Sequence, residues 1–406
     1  MNDFLNSLDG ALRGASRLPE LELSWTRQPL PTELSLLSLC EVSPGVVWAL
    51  GVDHDVLGSR GRRCEETVLL CREGRGWSAL GRFKGRLLLA LERGLDGAVY
   101  AAGEGACYRF DGGRWDDMKA PKLTYQRLWA PSADEVYALG PESLHFFDGV
   151  HWHQVDLMRA YGAHRHEWCF GCPTLSDIHG VADGEVWVVG TWFTHSTMLV
   201  GRRLDWRPDG CPSWYLYRVK VLSRTEALAV GGDGVVALRD GRWRWTAGAS
   251  RPEDMPRAFF PNMITTVGPT PVVTGFSLLE EPPQVCLWVP DRWFRVGPRV
   301  ALEQQTQTTA SLLTATGELL LADFGATWSA PFPDPAQLVS VEAGDLDQGA
   351  GSIDDVIDGP WDGGTNEGDL WKDEDTVKDI VPGLTSLGET DGAGPQWPFD
   401  PSDDDT

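Results

Sequence analysis

Long apolar runs and cysteines are scarce in this 406-residue sequence. No run of about 18 apolar residues occurs, so no transmembrane helix is expected. The N-terminal stretch MNDFLNSLDGALRG lacks the cationic start, apolar centre and cleavage site of a secretion signal. Eight cysteines are too few for a disulfide-stapled domain. We therefore expect reduced thiols and a cytoplasmic protein.

Basic residues are also few compared with acidic residues. The formal net charge is −24, and residues 333–406 contain 20 acidic and 2 basic residues, against 39 and 33 in the rest. A strongly acidic chain repels phosphate backbones and anionic membrane surfaces, so neither nucleic acid nor a membrane is an expected partner. The basic residues are 29 arginines and 6 lysines, a bias typical of GC-rich bacterial genomes.

A tryptophan that follows an acidic turn is abundant and recurs along the chain. It occurs in DGGRW at 111–115, DGVHW at 148–152 and DGRW at 240–243. Alignment on this residue gives seven copies: Trp77, Trp115, Trp152, Trp206, Trp243, Trp293 and Trp328. An apolar segment ending in glycine precedes them, with ends at Gly51, Gly103, Gly140, Gly190 and Gly231 and weaker versions ending at Gly275 and Gly317. Repeats of this length are typical of solenoids and propellers.

Each repeat has the pattern of a small four-stranded antiparallel sheet. The glycine-ended segment is rich in β-branched and aromatic residues, which predicts a second strand buried on both faces. Asp-Gly then predicts a tight turn, and the tryptophan begins the fourth strand, where its ring can fill the space between neighbouring sheets. One such sheet cannot cover both its faces, but a closed ring of sheets can. The sequence thus predicts an all-β, seven-bladed β-propeller, with six or eight blades as alternatives.

The repeats resemble bacterial propeller repeats of the type V-W-A-V-G followed by D-G-x-x-W, and more distantly kelch and WD repeats. The resemblance covers about residues 34–332. It implies a propeller architecture and no particular activity. The sequence differs from kelch repeats in having a double glycine at this strand end only once, at Gly231 and Gly232, and from WD repeats in lacking a regular Trp-Asp ending.

Three regions are predicted. Residues 1–18 form a short capping helix or arm, because apolar residues near the start share one helical face. Residues 19–332 form the propeller, in which the segment after Trp25 closes the ring by pairing with the last blade. Residues 333–406 form an acidic and largely disordered tail, since low hydrophobicity with high net charge cannot offset the entropy of folding.

One rim of the propeller is the predicted binding surface, because function on repeat scaffolds concentrates where loops depart from the repeat. Insertions at 52–65, 191–200 and 276–284 and the connection at 158–173 are placed on that rim. The rim residues predicted to bind a partner are Arg60, Arg62, Arg63, Trp168, Trp192, Phe193 and His195.

The connection also contains possible metal ligands, namely His164, His166, Cys169 and Cys172. Zinc requires about four such atoms in a tetrahedral arrangement. Structural sites usually join two separated ligand pairs, whereas these four residues lie within nine positions. A loop with free thiols and solvated histidines is therefore favoured over a zinc site, with a redox role for WCFGC as a third reading. No cofactor is expected.

The tail carries aromatic residues among its acids, at Trp361, Trp371 and Trp397. Aromatic anchors in an anionic segment are typical of a chain that folds onto a basic partner. A solubilising tail and a tail that folds back onto Arg60, Arg62 and Arg63 are the alternatives.

These features predict a non-catalytic cytoplasmic scaffold that binds protein partners, as a monomer or within a hetero-complex. The common catalytic motifs are missing. The alternative is a hydrolase or lyase that acts on a carbohydrate-like small molecule in the central channel. A channel lined with carboxylates, arginines or histidines would favour this alternative, and an apolar channel would weaken it.

Overall fold

A computed structural model describes residues 20–31, 34–53, 66–161, 173–192, 195–210, 216–231, 234–246, 259–267, 270–277, 284–290, 292–296, 310–323, 326–335 and 338. Backbone contacts divide the chain into Met1–Glu342 and Ala343–Thr406, and all described residues belong to the first unit. The predicted helix over 1–18 lies outside them, as does the tail beyond its first few residues. Within these ranges, no helix is both long and apolar enough to cross a lipid bilayer.

Seven antiparallel sheets form the described part of the chain, which confirms the predicted all-β, seven-bladed propeller. Consecutive inner strands contact one another, and the last contacts the first, so the ring is closed. We number the blades 1–7 by their inner strands, which are β3 (Leu34–Ser43), β7 (Leu88–Arg93), β11 (Arg127–Ser132), β15 (Thr174–Gly180), β19 (Leu216–Val221), β23 (Phe259–Val267) and β27 (Ala310–Leu313).

The other strands follow outward in each blade. The second strands are β4 (Val46–Asp53), β8 (Val99–Gly103), β12 (Glu135–Leu139), β16 (Val186–Trp192), β20 (Ala227–Gly231), β24 (Thr270–Ser277) and β28 (Glu318–Asp323). The third strands are β5 (Glu66–Glu73), β9 (Ala106–Phe110), β13 (Leu144–Phe147), β17 (His195–Arg202), β21 (Gly234–Arg239), β25 (Gln284–Val289) and β29 (Ala326–Pro331). The outer strands are β6 (Gly76–Lys84), β10 (Trp115–Asp117), β14 (Trp152–Gln154), β18 (Asp205–Pro208), β22 (Arg242–Trp245), β26 (Arg292–Val296) and β2 (Thr26–Pro29).

Two further elements lie at the edges of this pattern. Strand β1 (Glu20–Leu21) adds to blade 6 by pairing in parallel with β26. A five-residue helix, α1 (Leu157–Tyr161), begins the connection between blades 3 and 4.

The recurring glycine is explained by a close approach of backbone. A Cβ atom on Gly103 would lie 1.9 Å from the Leu87 carbonyl oxygen, and one on Gly190 would lie 2.1 Å from the Thr174 carbonyl oxygen. Leu87 immediately precedes the inner strand of its blade, and Thr174 is the first residue of the inner strand of its blade. Glycine therefore recurs where the start of the inner strand passes the end of the second strand.

The recurring tryptophans lie between neighbouring blades, as predicted. The Trp115 ring of blade 2 is 5.4 Å from the Phe83 ring of blade 1, measured between centroids. The Trp243 ring of blade 5 is 5.4 Å from the Trp187 ring of blade 4, and Trp243 Nε1 donates to the Asp209 carboxylate at 3.0 Å. Each indole thus joins its own sheet to the preceding one.

The last blade differs from the predicted alignment. Its Trp328 lies on the third strand, β29, and the outer strand is β2 from the N-terminal side, directly after Trp25. Gly317 lies in the turn after the inner strand, at a positive φ of 76°. The predicted closure by the Trp25 segment is confirmed, but the last copy was aligned one strand too far out. The reason is that this sheet is built from both ends of the propeller sequence.

The predicted insertion at 191–200 is also wrong. Strands β16 and β17 pair continuously out to Trp192 opposite His195. Met198, Leu199 and Val200 are nearly fully buried in this hairpin, so the segment read as a loop supplies core residues.

The first described residues beyond the predicted boundary at 333 still contact the propeller. Leu338 is buried in one cluster with Val272 and Leu287 of blade 6 and Leu319 of blade 7.

A buried polar network reinforces the junction between the first and last blades. Arg72 of blade 1 donates two hydrogen bonds to the Glu318 carboxylate of blade 7, at 2.7 and 2.8 Å. Its Nε donates to Gln28 Oε1 at 2.8 Å, and Gln28 Nε2 donates to Ser329 Oγ at 3.1 Å. We call these four residues the closure network.

Candidate functional site

Most residues predicted to bind a partner or a metal lie outside the described residues. This holds for Arg60, Arg62, Arg63, His164, His166, Trp168, Cys169, Cys172, Phe193, Trp361, Trp371 and Trp397. Trp192 and His195 are paired in the backbone register of β16 and β17. No three His, Cys, Asp or Glu side chains converge as a metal site in the part of the chain that the structure describes. The rim and zinc hypotheses therefore remain predictions.

A cavity lies in the centre of the ring. Its volume is about 210 Å³, and all seven inner strands contribute to its wall. For comparison, an engineered apolar cavity of roughly 150 Å³ holds benzene. The cavity is therefore large enough for a small organic molecule or one amino-acid side chain.

Six polar residues of blades 2–5 line the cavity, and the strand register places them at two levels. Each residue of the first level pairs with the second-strand residue immediately before the recurring glycine. This level consists of Arg127, Asp177 and Arg218. Each residue of the second level pairs with the second-strand residue that lies two positions further from that glycine. This level consists of Glu92, His179 and Lys220. Alternate residues of a strand point to the same side, so both levels face the cavity.

The opposite wall of the cavity has a different character. Blades 1, 6 and 7 contribute Leu37, Ser38, Leu39, Met263, Ile264, Ala310 and Ser311. None of these side chains ionises. The cavity consequently has one charged half and one half made of apolar and hydroxyl groups.

Two of the polar residues are fixed by the neighbouring inner strand. Asp177 Oδ2 accepts the Val219 backbone N–H at 3.0 Å, and Oδ1 lies 3.5 Å from Arg127 Nε. His179 Nδ1 accepts the Val221 N–H at 3.2 Å, which leaves the ring proton on Nε2. Asp177 and His179 are thus oriented by backbone that belongs to the next blade.

Burial shifts the pKa values of the ionisable side chains in the cavity. It raises the Glu92 pKa to about 7, with Lys220 opposing the rise and Asp177 adding to it. Burial and the nearby Arg127 lower the Arg218 pKa to about 9. Burial also lowers the Lys220 pKa and, together with Lys220, holds the His179 pKa well below its usual value. The cationic forms of Arg218 and Lys220 are therefore less stable here than in water.

Glu92→Gln should make the propeller more stable at high pH and not at low pH. Because the folded pKa of about 7 exceeds the ordinary 4.5, Glu92 contributes stability at low pH that is lost as the pH rises through 7. We expect equal melting temperatures near pH 4, below both pKa values, and a gain of about 1–3 kcal/mol for the variant at pH 8.5.

Thermal unfolding of parent and variant at both pH values measures this effect. Lys220, Asp177, Arg127, His179 and Arg218 face Glu92 in both proteins, so the comparison isolates the changed carboxyl. Glu142→Gln, at an exposed residue, is the control and should show no such difference. An equal gain at both pH values would contradict the raised pKa.

The sequence analysis missed these six residues because it aligned the second and fourth strands. Their signal lies in the first strand of each unit, in LLALER, RLWAPS, TLSDIHG and LYRVKV. In four consecutive units, an ionisable residue of the first strand pairs with the second-strand residue one or three places before the glycine. Alignment of the first strands would have placed them in one channel.

Comparison with known proteins identifies the architecture and no family. No protein-family model matches the chain, and no curated protein sequence matches it. Among solved structures, "YCF48 bound to D1 peptide" is similar with a TM-score of 0.54 and 11% identity, covering 78% of this chain and 98% of that one. The RRP9 WD40 repeats give 0.53 and 9%, with coverage of 76% and 97%. The WD40 propeller domain of Doa1 gives 0.51 and 10%, also with coverage of 76% and 97%.

These similarities place the chain among β-propellers. At such low identities the shared feature is the fold, and the cavity residues must be interpreted from their own geometry.

Proposed function

We propose that this chain is a non-catalytic cytoplasmic scaffold, which holds a protein partner by a segment that enters the central cavity. The supporting observation is the division of the cavity into a charged and an apolar half. A polypeptide segment presents polar and apolar groups side by side, so it can satisfy both halves at once. One propeller of similar fold is bound to a peptide, which agrees with this proposal.

The rim and the tail extend the same proposal. The aromatic anchors Trp361, Trp371 and Trp397 would add contacts to a basic surface of the partner. The rim residues named above would surround the segment that enters the cavity.

Site-specific crosslinking in cells tests whether a polypeptide enters the cavity. A diazirine-bearing amino acid at Met263, on the apolar wall, should give a protein-sized adduct. The same group at Val150, which is 74% exposed, is the control and should not give that adduct. Absence of an adduct from position 263, or equal adducts from both positions, would contradict the proposal.

A hydrolase or lyase that acts on a carbohydrate-like small molecule is the second candidate. Two carboxyl groups, Glu92 and Asp177, line the same cavity, and a pKa of about 7 suits a general acid. If this candidate holds, the full chain should cleave members of a panel of nitrophenyl glycosides, and Glu92→Gln should lower the rate at least 100-fold. The scaffold proposal expects no cleavage by the parent or by that variant.

A further inference from the structure

We propose that the central cavity is a carboxylate-binding site, and that the bound carboxylate carries a small apolar group. The inference rests on the proposed function in one respect, which is that a protein partner supplies the carboxylate. That carboxylate would belong to a chain terminus or to an acidic side chain. The chemistry of the site itself follows from the side chains in the cavity.

The charged half has more cationic than anionic side chains. Arg127, Arg218 and Lys220 face Asp177 and Glu92. Asp177 is already engaged by Arg127 and by the Val219 backbone N–H. Among the described residues, no carboxylate lies within ion-pair distance of the Lys220 ammonium, and the Glu92 carboxyl has no hydrogen-bond partner. An anion in the cavity would therefore supply the partner that Lys220 lacks.

Glu92 can add a hydrogen bond to a carboxylate that Lys220 binds. In its protonated form it can donate O–H to a ligand oxygen, while Lys220 donates N–H to the same ligand, and such charge-assisted bonds are the strong ones. Glu92 would then bind in the neutral form, so no like charges would face each other. Binding should accordingly take up protons near neutral pH.

The opposite wall selects what the carboxylate carries. Leu37 and Met263 offer apolar surface, whereas Ile264 and Leu39 pack against the core clusters between blades. The cavity of about 210 Å³ limits the size of the group. Burying an aliphatic side chain against this wall adds a favourable hydrophobic contribution. Phosphate or a sugar acid would leave the apolar half uncovered. The expected ligand thus resembles an acylated aliphatic amino acid.

Titration of the full-length chain with four probes tests the site. N-acetyl-leucine carries the carboxylate and the apolar group, N-acetyl-leucinamide lacks the charge, acetate lacks the apolar group, and inorganic phosphate is a different anion. Calorimetry and ligand-observed NMR should show binding of N-acetyl-leucine at least tenfold tighter than that of the other three. Equal binding of the amide, or tighter binding of phosphate, would overturn the proposal.

Variants connect binding to the named residues. Lys220→Met should weaken N-acetyl-leucine binding at least tenfold and Lys220→Arg should preserve it, whereas Lys119→Met, at a side chain that is 81% exposed, should have no effect. Met263→Glu places a like charge on the apolar wall and should also abolish binding, which gives an independent test if Lys220→Met lowers the amount of folded protein. Unchanged affinity in folded Lys220→Met would refute the assignment.

The pH dependence of N-acetyl-leucine binding tests the role of Glu92, because a residue with a purely structural role would not change it. Binding should weaken as the pH rises from 6 to 8.5, because Glu92 ionises beside the ligand. Glu92→Gln should remove the part of this dependence that the Glu92 carboxyl causes. Arg127, Asp177, His179, Arg218 and Lys220 are the same in both proteins and contribute equally to the two profiles. A parent and variant with the same pH profile would contradict the role of Glu92.

A competition experiment separates this inference from the proposed function. If N-acetyl-leucine binds as expected and no protein adduct forms at Met263, the carboxylate site stands and the peptide-binding function fails. An adduct that bound N-acetyl-leucine does not reduce would show that the partner does not supply the carboxylate. If the adduct forms and N-acetyl-leucine shows no binding, the function stands and the carboxylate site fails.

Discussion

Gly103→Ala is expected to destabilise the propeller by about 3–5 kcal/mol, an unusually large effect for the addition of one methyl group. The new Cβ would lie 1.9 Å from the Leu87 carbonyl oxygen and 2.5 Å from Leu88 Cα. Both are backbone atoms at the start of an inner strand, so neither can rotate away. The strand or its entry segment would have to move, which would disrupt packing on both sides of blade 2.

Urea unfolding of Gly103→Ala and Gly81→Ala measures this cost against a matched control. Gly81 lies in the outer strand β6, where an added Cβ meets no atom within 4 Å. We expect Gly81→Ala to change the free energy of unfolding by less than about 0.5 kcal/mol. Similar values for the two variants would show that close approach does not explain the repeated glycine.

The repeat was predictable from sequence because each of its marks has a local cause. Glycine recurs where the backbone passes too closely for a side chain, as at Gly103 and Gly190. Tryptophan recurs where two sheets meet, as at Trp115 and Trp243. Such constraints act within a unit or between neighbouring units. They therefore repeat at nearly constant spacing and can be recognised in the amino-acid sequence.

The last blade and the cavity depend on distant parts of the chain. The sequence therefore predicts the closure by the segment after Trp25, but neither the strand assignment of the last blade nor the residues of the cavity. The outer strand of blade 7 is β2, nearly 300 residues from its partner β29, so the spacing rule fails at that blade. The six polar residues of the cavity come from four blades, and only the register of each inner strand brings Glu92, Asp177 and Lys220 to one place. Their joint position is a property of the closed ring.

The cavity reverses the electrostatic character of the chain at one point. The net charge is −24, yet three cationic side chains line the cavity. Screening at physiological salt limits interactions between exposed charges to roughly 8 Å, whereas partly buried groups are screened less. An acidic ligand therefore meets modest repulsion outside the ring and strong attraction once inside. This difference favours a ligand that presents its carboxylate at the end of a chain.

Arg72→Met is expected to cost about 2–4 kcal/mol, because it breaks the closure network and leaves other polar groups unpaired. Arg72 is 2% exposed, and its loss removes the donors of both Glu318 oxygens and of Gln28 Oε1. Glu318 keeps partial contact with water, since its side chain is 29% exposed, which places the cost below that of a fully buried pair. The network also holds β2 in blade 7, so weakening it exposes a sheet edge.

Chemical unfolding of three variants distinguishes the stabilisation that comes from the Arg72–Glu318 ion pair from the cost of burying its two side chains. Arg207→Met breaks an exposed ion pair, with side chains 60% and 50% exposed, and should cost less than about 1 kcal/mol. Arg72→Met combined with Glu318→Met should recover part of the loss, because the unpaired carboxylate is removed with its partner. A double variant as unstable as Arg72→Met alone would instead place the stabilising contacts on Gln28 and Ser329. Ring closure would then depend on the N-terminal strand more than on the ion pair.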